Sequence, residues 1–244
     1  MPAEEVTVDE TAFIAHEDSN VVLTRDGWVK RVGQLRDIST TRVREGDEVM
    51  CVLGGSTKEL VVFFSSLGSA YVCRVLDVPA TTGYGEPVQK LFKFDDGEQV
   101  VAAMSLDPRT LPGPVADTVL LAVTKTGLAL RFALAPHSEV STRNGRMFAK
   151  LQTGDSVLGV RLAPDAARVN VVSAEARGLS CAAHEVPILS GAGKGVQLIK
   201  LADDDKVLVF SVAEPLRVET DKGDILDVAT MTDRGGRGGG HDRR

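Results

Sequence analysis

Residues 18–33 read DSNVVLTRDGWVKRVG. An apolar run enters a tight turn at Asp26-Gly27, and Trp28 followed by the adjacent cations Lys30 and Arg31 comes out of it. Asp-Gly between apolar runs is a strong hairpin signal, because such turns need a positive φ that glycine takes without steric cost; it predicts a type I′ turn here. Alone, the stretch is a surface hairpin. Repeated, it is the unit of the fold.

It recurs. Lining the chain up on turn glycines gives VVLTRDGWVKRV around Gly27, LVVFFSSLGSAYVCRV around Gly68, VLLAVTKTGLALRF around Gly127, VNVVSAEARGLSCAA around Gly178 and LRVETDKGDILDV around Gly223. The intervals between these glycines are 41, 59, 51 and 45 residues. A second element follows each of the first four hairpins: VREGDEVMCVL, LFKFDDGEQVVAAM, LQTGDSVLGVRL and LIKLADDDKVLVFSV, each with an acidic or glycine-containing turn before an apolar strand. Between hairpin and second element run loops rich in Gly, Ser, Thr and Arg, namely QLRDISTT, VPATTGYGEP, SEVSTRNGR and VPILSGAGKG.

Helical periodicity is absent over any long window. Four-stranded repeats of roughly 40 to 50 residues are what radial, propeller-like folds are made of. Leu60–Phe64 and Val119–Val123 are apolar on both faces, as strands sandwiched between neighbouring sheets must be. One sheet cannot bury its own core, so an all-β, five-bladed disc is expected, with two separate β-sandwiches as the alternative. The fifth repeat lacks a second half, and VTVDETAFIAH (6–16) is the candidate strand to close the ring.

A content of 43% hydrophobic and 25% charged residues suits a globular chain. No apolar run approaches the roughly 18 residues that span a bilayer, and the N-terminus MPAEEVTVDE is acidic where a signal peptide is basic; a cytoplasmic protein without membrane contact is expected. Cys51, Cys73 and Cys181 lie far apart and read as reduced core fillers; His16, His137, His184 and His241 make no metal-ligand spacing.

The net charge of −6 is unevenly spread. Residues 1–19 hold six acids and no Lys or Arg, whereas 24–44 and 125–150 each carry a net +4. Those two patches fit either solvated loops or a nucleic-acid contact. Three divisions follow: an acidic lead (1–19), the β-domain (20–230) and an Arg/Gly tail (231–244) expected to be flexible and able to touch DNA loosely.

Catalytic chemistry is not in evidence. Asp95-Asp96 and Asp203–Asp205 sit in expected hairpin turns with no partner or nucleophile nearby. GAGKGV (191–196) lacks the P-loop spacing and opens no helix, although its amides and Lys194 suit a backbone phosphate. Neither Tyr71 nor Tyr84, the only tyrosines, stands beside an arginine as a DNA-cleaving nucleophile would. No catalytic residue, metal site or cofactor is expected.

Gly27-Trp28-Val29-Lys30, Glu45-Gly46-Asp47, Ser66–Tyr71, Pro79, Gly83–Pro87, Gly191–Gly195 and the terminal Arg-Gly run together resemble the C-terminal domain of the topoisomerase IV A subunit (ParC) and, more distantly, that of the DNA gyrase A subunit. The resemblance runs from about residue 18 to 235. It implies a β-pinwheel, a disc whose blades exchange strands, with a basic rim that binds and bends duplex DNA. It further implies that this domain presents the transported DNA segment to a separate catalytic core and, through that core, works with an ATPase B subunit. The gyrase-specific box, a Gln-Arg-Gly-Gly-Lys-Gly-like loop after the first hairpin, is missing, since that region reads QLRDISTTRVREGD; this favours a topoisomerase IV-like reading.

The cations fall mainly on hairpin ends and the loops behind them. Lys30, Arg31, Arg42 and Arg44 of the first repeat and Arg131, Arg143 and Arg146 of the third are the leading phosphate contacts, with Arg74 and Lys93 for the second and Lys194 and Lys200 for the fourth. Trp28 is expected to pack rather than stack on bases. A disc that binds a protein partner instead is the rival reading, with residues 1–19 as a docking or autoinhibitory segment.

Overall fold

The computed structural model describes residues 15–219, 221, 223 and 225–228. Most of the proposed closing strand and the whole Arg/Gly tail lie outside them.

Every expected hairpin forms, but the turn differs from type I′. Gly27 alone takes a left-handed φ of +81°, while Arg25 and Asp26 do not. The Gly27 N–H donates to the Thr24 carbonyl (3.1 Å). The left-handed residue thus closes the four-residue turn Thr24–Gly27 as a bulge. The Thr24 hydroxyl completes the motif by accepting the Trp28 N–H at 3.0 Å. Ser65, Thr124 and Ser173 repeat that hydroxyl bond to the N–H four residues on. In the fourth hairpin the same frame puts Ala176, at φ 58°, in the left-handed position, and Gly178 begins the next strand instead.

In chain order, β1 (Asp18–Thr24), β2 (Trp28–Val32) and β3 (Val49–Ser56) form the first sheet. The second hairpin is β4 (Leu60–Ser65) and β5 (Ser69–Arg74), but the short β6 (Glu86–Pro87) behind it returns to pair with β2. β7 (Val100–Ser105) then joins β4. β8 (Val119–Thr124) and β9 (Leu128–Ala133) make the third hairpin, β10 (Arg146–Met147) reaches back to β5, and β11 (Val157–Leu162) joins β8. The fourth hairpin is β12 (Arg168–Ser173) and β13 (Gly178–Ala182); β14 (Ile188–Leu189) and β15 (Val196–Gln197) go back to β9, and β16 (Val207–Val212) joins β12. β17 (Arg217–Glu219) and β18 (Ile225–Asp227) form the fifth hairpin.

The sheets read β3-β1-β2-β6, β10-β5-β4-β7, β11-β8-β9-β14 with β15 also on β9, β13-β12-β16, and β17-β18. Among the described residues the first three sheets therefore reach four strands or more by exchange: the second, third and fourth connectors each lend the preceding hairpin an outer strand. The lead-ins before the acidic turns are not strands.

The cores lie between sheets, as doubly apolar strands require. Val21, Leu23 and Val29 pack with Phe63, Tyr71 and Phe92 between the first two sheets. Phe64, Phe132 and Phe148 fill the second interface, with Phe64 edge-on to Phe148 and Phe132 stacked on it at 4.8 Å. Leu121, Val169 and Phe210 belong to the third. Neighbouring sheets also meet through β3, β7, β11 and β16, which are therefore the inner strands of the disc. The opposite edge belongs to the connectors.

Candidate nucleic-acid interface

Three connectors seat on the hairpins by one device. Gly85, Gly145 and Gly195 each carry a positive φ. A Cβ there would come within 2.5, 2.8 and 2.4 Å of the carbonyl oxygens of Val29, Ala70 and Ala129. Only glycine permits that approach. The next residue pairs with the same hairpin residue, Glu86 with Val29, Arg146 with Ala70 and Val196 with Ala129. Two residues further, the amides of Val88, Phe148 and Leu198 donate to the turn carbonyls of Gly27, Gly68 and Gly127 (2.8–2.9 Å).

The connectors are also tied to one another. The Lys93 N–H donates to the Arg143 carbonyl (2.7 Å), and the Lys150 N–H to that of Gly193 (2.9 Å). At the first boundary a side chain makes the tie: Lys30 Nζ donates to the carbonyls of Arg42 (2.6 Å) and Gly83 (2.7 Å). Four loops thus lie side by side along the outer edge.

This arrangement changes the role of three proposed contacts. Lys30 is 2% exposed, its ammonium is spent on those two carbonyls, and burial, helped by Arg42, pulls its pKa below the ordinary lysine value. Arg131 is 4% exposed; its Nε donates to the Val186 carbonyl (2.7 Å) and its guanidinium pairs with Asp165. Arg31 is half-buried at the equivalent place, with its N–H on the Pro79 carbonyl (2.8 Å). In both hairpins this arginine grips the Val-Pro of the next connector. These three are clamps between blades, a role that the sequence does not separate from an exposed charge.

The other candidates are open to solvent. Arg42, Arg44, Lys93, Arg143, Arg146, Lys194 and Lys200 are exposed, and Arg74 is half-buried at the end of β5. Arg44 lies over the Trp28 ring at 4.7 Å, so Trp28 packs under a cation at the edge. Arg143 donates to the Lys90 carbonyl (3.3 Å) and, with Gln89, Phe92, Lys93 and Phe94, lines a shallow recess of about 310 Å³. Lys150, not singled out from the sequence, is exposed where the third and fourth connectors join. Among the described residues none of Arg42, Arg44, Lys93, Arg143, Arg146, Lys150, Lys194 and Lys200 is in an ion pair.

Much of the acid sits elsewhere. Arg25, Lys125 and Ala174 at the hairpin turns donate backbone N–H groups to Glu48, Ser156 and Lys206. That brings the turns holding Asp26, Glu45, Glu48, Asp203 and Asp204 to one end of the sheets. Asp47, Asp155 and Asp205 are buried there and accept the N–H groups of Asp26, Thr126 and Glu175. Tyr71 is buried with its hydroxyl on Glu98 Oε1 (2.9 Å), and burial first, then Glu98, raises its pKa. Among the described residues no group of three or more His, Cys, Asp or Glu could hold a metal ion.

An all-β disc of radially arranged sheets, exchanging outer strands and gathering exposed cations on its connectors, is a β-pinwheel. The family model described as DNA gyrase C-terminal domain, beta-propeller, matches residues 59–107, 118–164 and 171–213, and the chain belongs to that family. It is 26% identical to the DNA gyrase A subunit of Haloquadratum walsbyi over 243 residues, which cover 94% of this chain and 27% of the relative. Against the DNA gyrase A subunit of Aminobacterium colombiense it is 27% identical, over 84% of this chain and 25% of the relative. The chain thus spans about a quarter of the length of these relatives. The fold matches a crystal structure of the C-terminal domain of DNA topoisomerase IV (TM-score 0.76, 21% identity, 88% of this chain and 68% of that one). It also matches the E. coli ParC C-terminal domain (TM-score 0.71, 20% identity, 86% of each chain). A DNA gyrase A C-terminal domain superposes with a TM-score of 0.61 at 18% identity, over 89% of this chain and 74% of that one.

Proposed function

We propose that this chain binds and bends duplex DNA along its outer edge, as a non-catalytic part of a type IIA topoisomerase A subunit that presents the transported segment to a separate catalytic core and its ATPase B subunit. What supports this reading is the row of connectors, tied by backbone bonds and at the first boundary by Lys30, on which Arg42, Arg44, Lys93, Arg143, Arg146, Lys150 and Lys194 are exposed. Cations at intervals on a curved edge neutralise phosphates on one side of a duplex and favour a bend toward the protein, with little reading of bases. The absence of a gyrase-type box in residues 34–47 supports bending without a tight wrap, the topoisomerase IV-like mode.

The experiment is a duplex-binding titration against salt. The logarithm of affinity should fall linearly with that of salt, with a slope of about 0.9 per neutralised phosphate. Reversing Arg143 and Arg146 to Glu should lower affinity alike on unrelated sequences and flatten that slope. Salt-independent binding, or a loss confined to one DNA sequence, contradicts the reading.

A further inference from the structure

The second connector departs from the third and fourth. Its seating glycine, Gly85, stands 13 residues before the buried acid Glu98, whereas Gly145 and Gly195 stand 10 before Asp155 and Asp205. The extra length closes a short turn after Val88, whose carbonyl accepts the N–H groups of Leu91 (3.0 Å) and Phe92 (3.1 Å). That turn carries exposed Gln89 to the outer edge, where it forms one wall of the recess beside Arg143.

The floor and the rim of the recess differ from the other joints too. Counted back from the buried acids, Arg42, Lys93, Lys150 and Lys200 hold one position. Only in the second repeat are both residues flanking that cation aromatic, as Phe92 and Phe94; the third has Ala149 and Leu151, the fourth Ile199 and Leu201. Phe94 stacks on Tyr71 at 4.6 Å and is half-buried, while Phe92 packs against Tyr71 and Phe63, so the floor is fixed. At the flanking joints the cation meets glycine: Lys30 joins Arg42 to Gly83, and the Lys150 N–H bonds to Gly193. Here the Lys93 N–H bonds instead to a second cation, Arg143. Two cations with no ion-pair partner among the described residues thus overhang two rings and an amide.

We propose that this recess is a nucleotide site. A base lies on Phe94, its phosphate sits between the Lys93 ammonium and the Arg143 guanidinium, and the Gln89 amide meets a polar edge of the base. Aromatic faces accept any base, and a guanidinium matches phosphate through parallel N–H groups. The volume of about 310 Å³ stands at the lower end of the range for small-molecule sites. The nucleotide is either free or unpaired within a strand; the second source rests on the DNA reading and the first does not.

An NMR titration of the full chain with deoxyadenylate (dAMP), in the absence of duplex, tests the site independently of DNA binding. The adenine protons should shift upfield over the Phe94 ring, and dAMP should bind at least tenfold more tightly than inorganic phosphate or deoxyadenosine. Arg143→Gln should weaken it at least fivefold. Phe94→Leu, which installs the residue that the third and fourth repeats carry there, should do the same. Arg143 is exposed, so its variant carries the test if thermal melts show Phe94→Leu to be unfolded. Lys125→Gln, at the hairpin-turn end, should change binding less than twofold. No dAMP binding, phosphate binding as tightly as dAMP, or equal losses in Arg143→Gln and Lys125→Gln overturns the proposal. Displacement of dAMP by a duplex with one unpaired adenine, but not by the fully paired duplex, identifies a nucleotide held in a strand; displacement by neither identifies a free one. Equal displacement by both means that only backbone phosphates enter the recess, and overturns the proposal.

Discussion

Lys30 shows how one side chain can be misread from sequence. It stands next to Arg31 behind a turn, in a patch of net +4, where an exposed phosphate contact is the natural expectation. On β2 it instead stands opposite buried Val22, on the face away from Val29, and two carbonyls from different connectors use its ammonium. A buried ammonium is tolerated only with such partners. Lys30→Met keeps the bulk and leaves both carbonyls without their donor, so urea denaturation should register a loss of about 2–4 kcal/mol. A change below about 0.5 kcal/mol would mean that the tie contributes nothing to the fold. Arg131 teaches the same lesson, because its partner Asp165 lies 34 residues away and nothing in the local sequence announces it.

At the scale of elements, hairpins were legible and exchange was not. Apolar runs around a glycine turn mark β1–β2, β4–β5 and β8–β9 because local sterics dictate them. The outer strands β6, β10 and β15 are two residues long and hold no periodicity. What marks them is a glycine 17 to 19 residues after the left-handed residue of the preceding turn, a signal that makes sense only once the contact it permits is known. Two glycines separate that contact from the cost of the backbone conformation alone. Gly195 and Gly154 have φ of +78° and +82°, but a Cβ at Gly195 would lie 2.4 Å from the Ala129 oxygen while one at Gly154 meets nothing within 4 Å. Gly154→Ala should cost about 1 kcal/mol, the left-handed penalty. Gly195→Ala should cost at least about 2 kcal/mol more, read as a lower denaturation midpoint. Equal losses would refute the close approach.

For the whole molecule, five glycine-centred repeats were enough to predict an all-β disc, since no single sheet can bury both its faces. The sum of charge was a poor guide to its edge. The −6 total hides acids gathered at the hairpin-turn end and cations strung along the connectors, a segregation visible only once turns 20 to 30 residues apart are known to touch, as Thr126 and Asp155 do. Acid should unsettle the disc in two stages. His137, buried against Phe132 and Phe148 with no partner on Nδ1, is pushed by burial and by Arg146 down to about 4. The fold holds it neutral while the unfolded chain protonates it near 6.5. Its contribution is therefore complete above pH 6.5 and is lost as pH falls toward 4, roughly 3 kcal/mol in all. Asp107, held low chiefly by Arg109, gives up its share only below the ordinary carboxylate range. In His137→Leu, thermal melts between pH 6.5 and 4 should lose their slope and keep the steeper fall beneath it; an unchanged slope would assign it to other groups.

Because each connector staples the hairpin before it, the repeat is a self-propagating unit. A gene duplication inserted anywhere in the array takes its predecessor's staple and hands one on, so no interior hairpin is orphaned. Sector number, and with it the arc of the outer edge, can lengthen or shorten in evolution without redesigning a single joint.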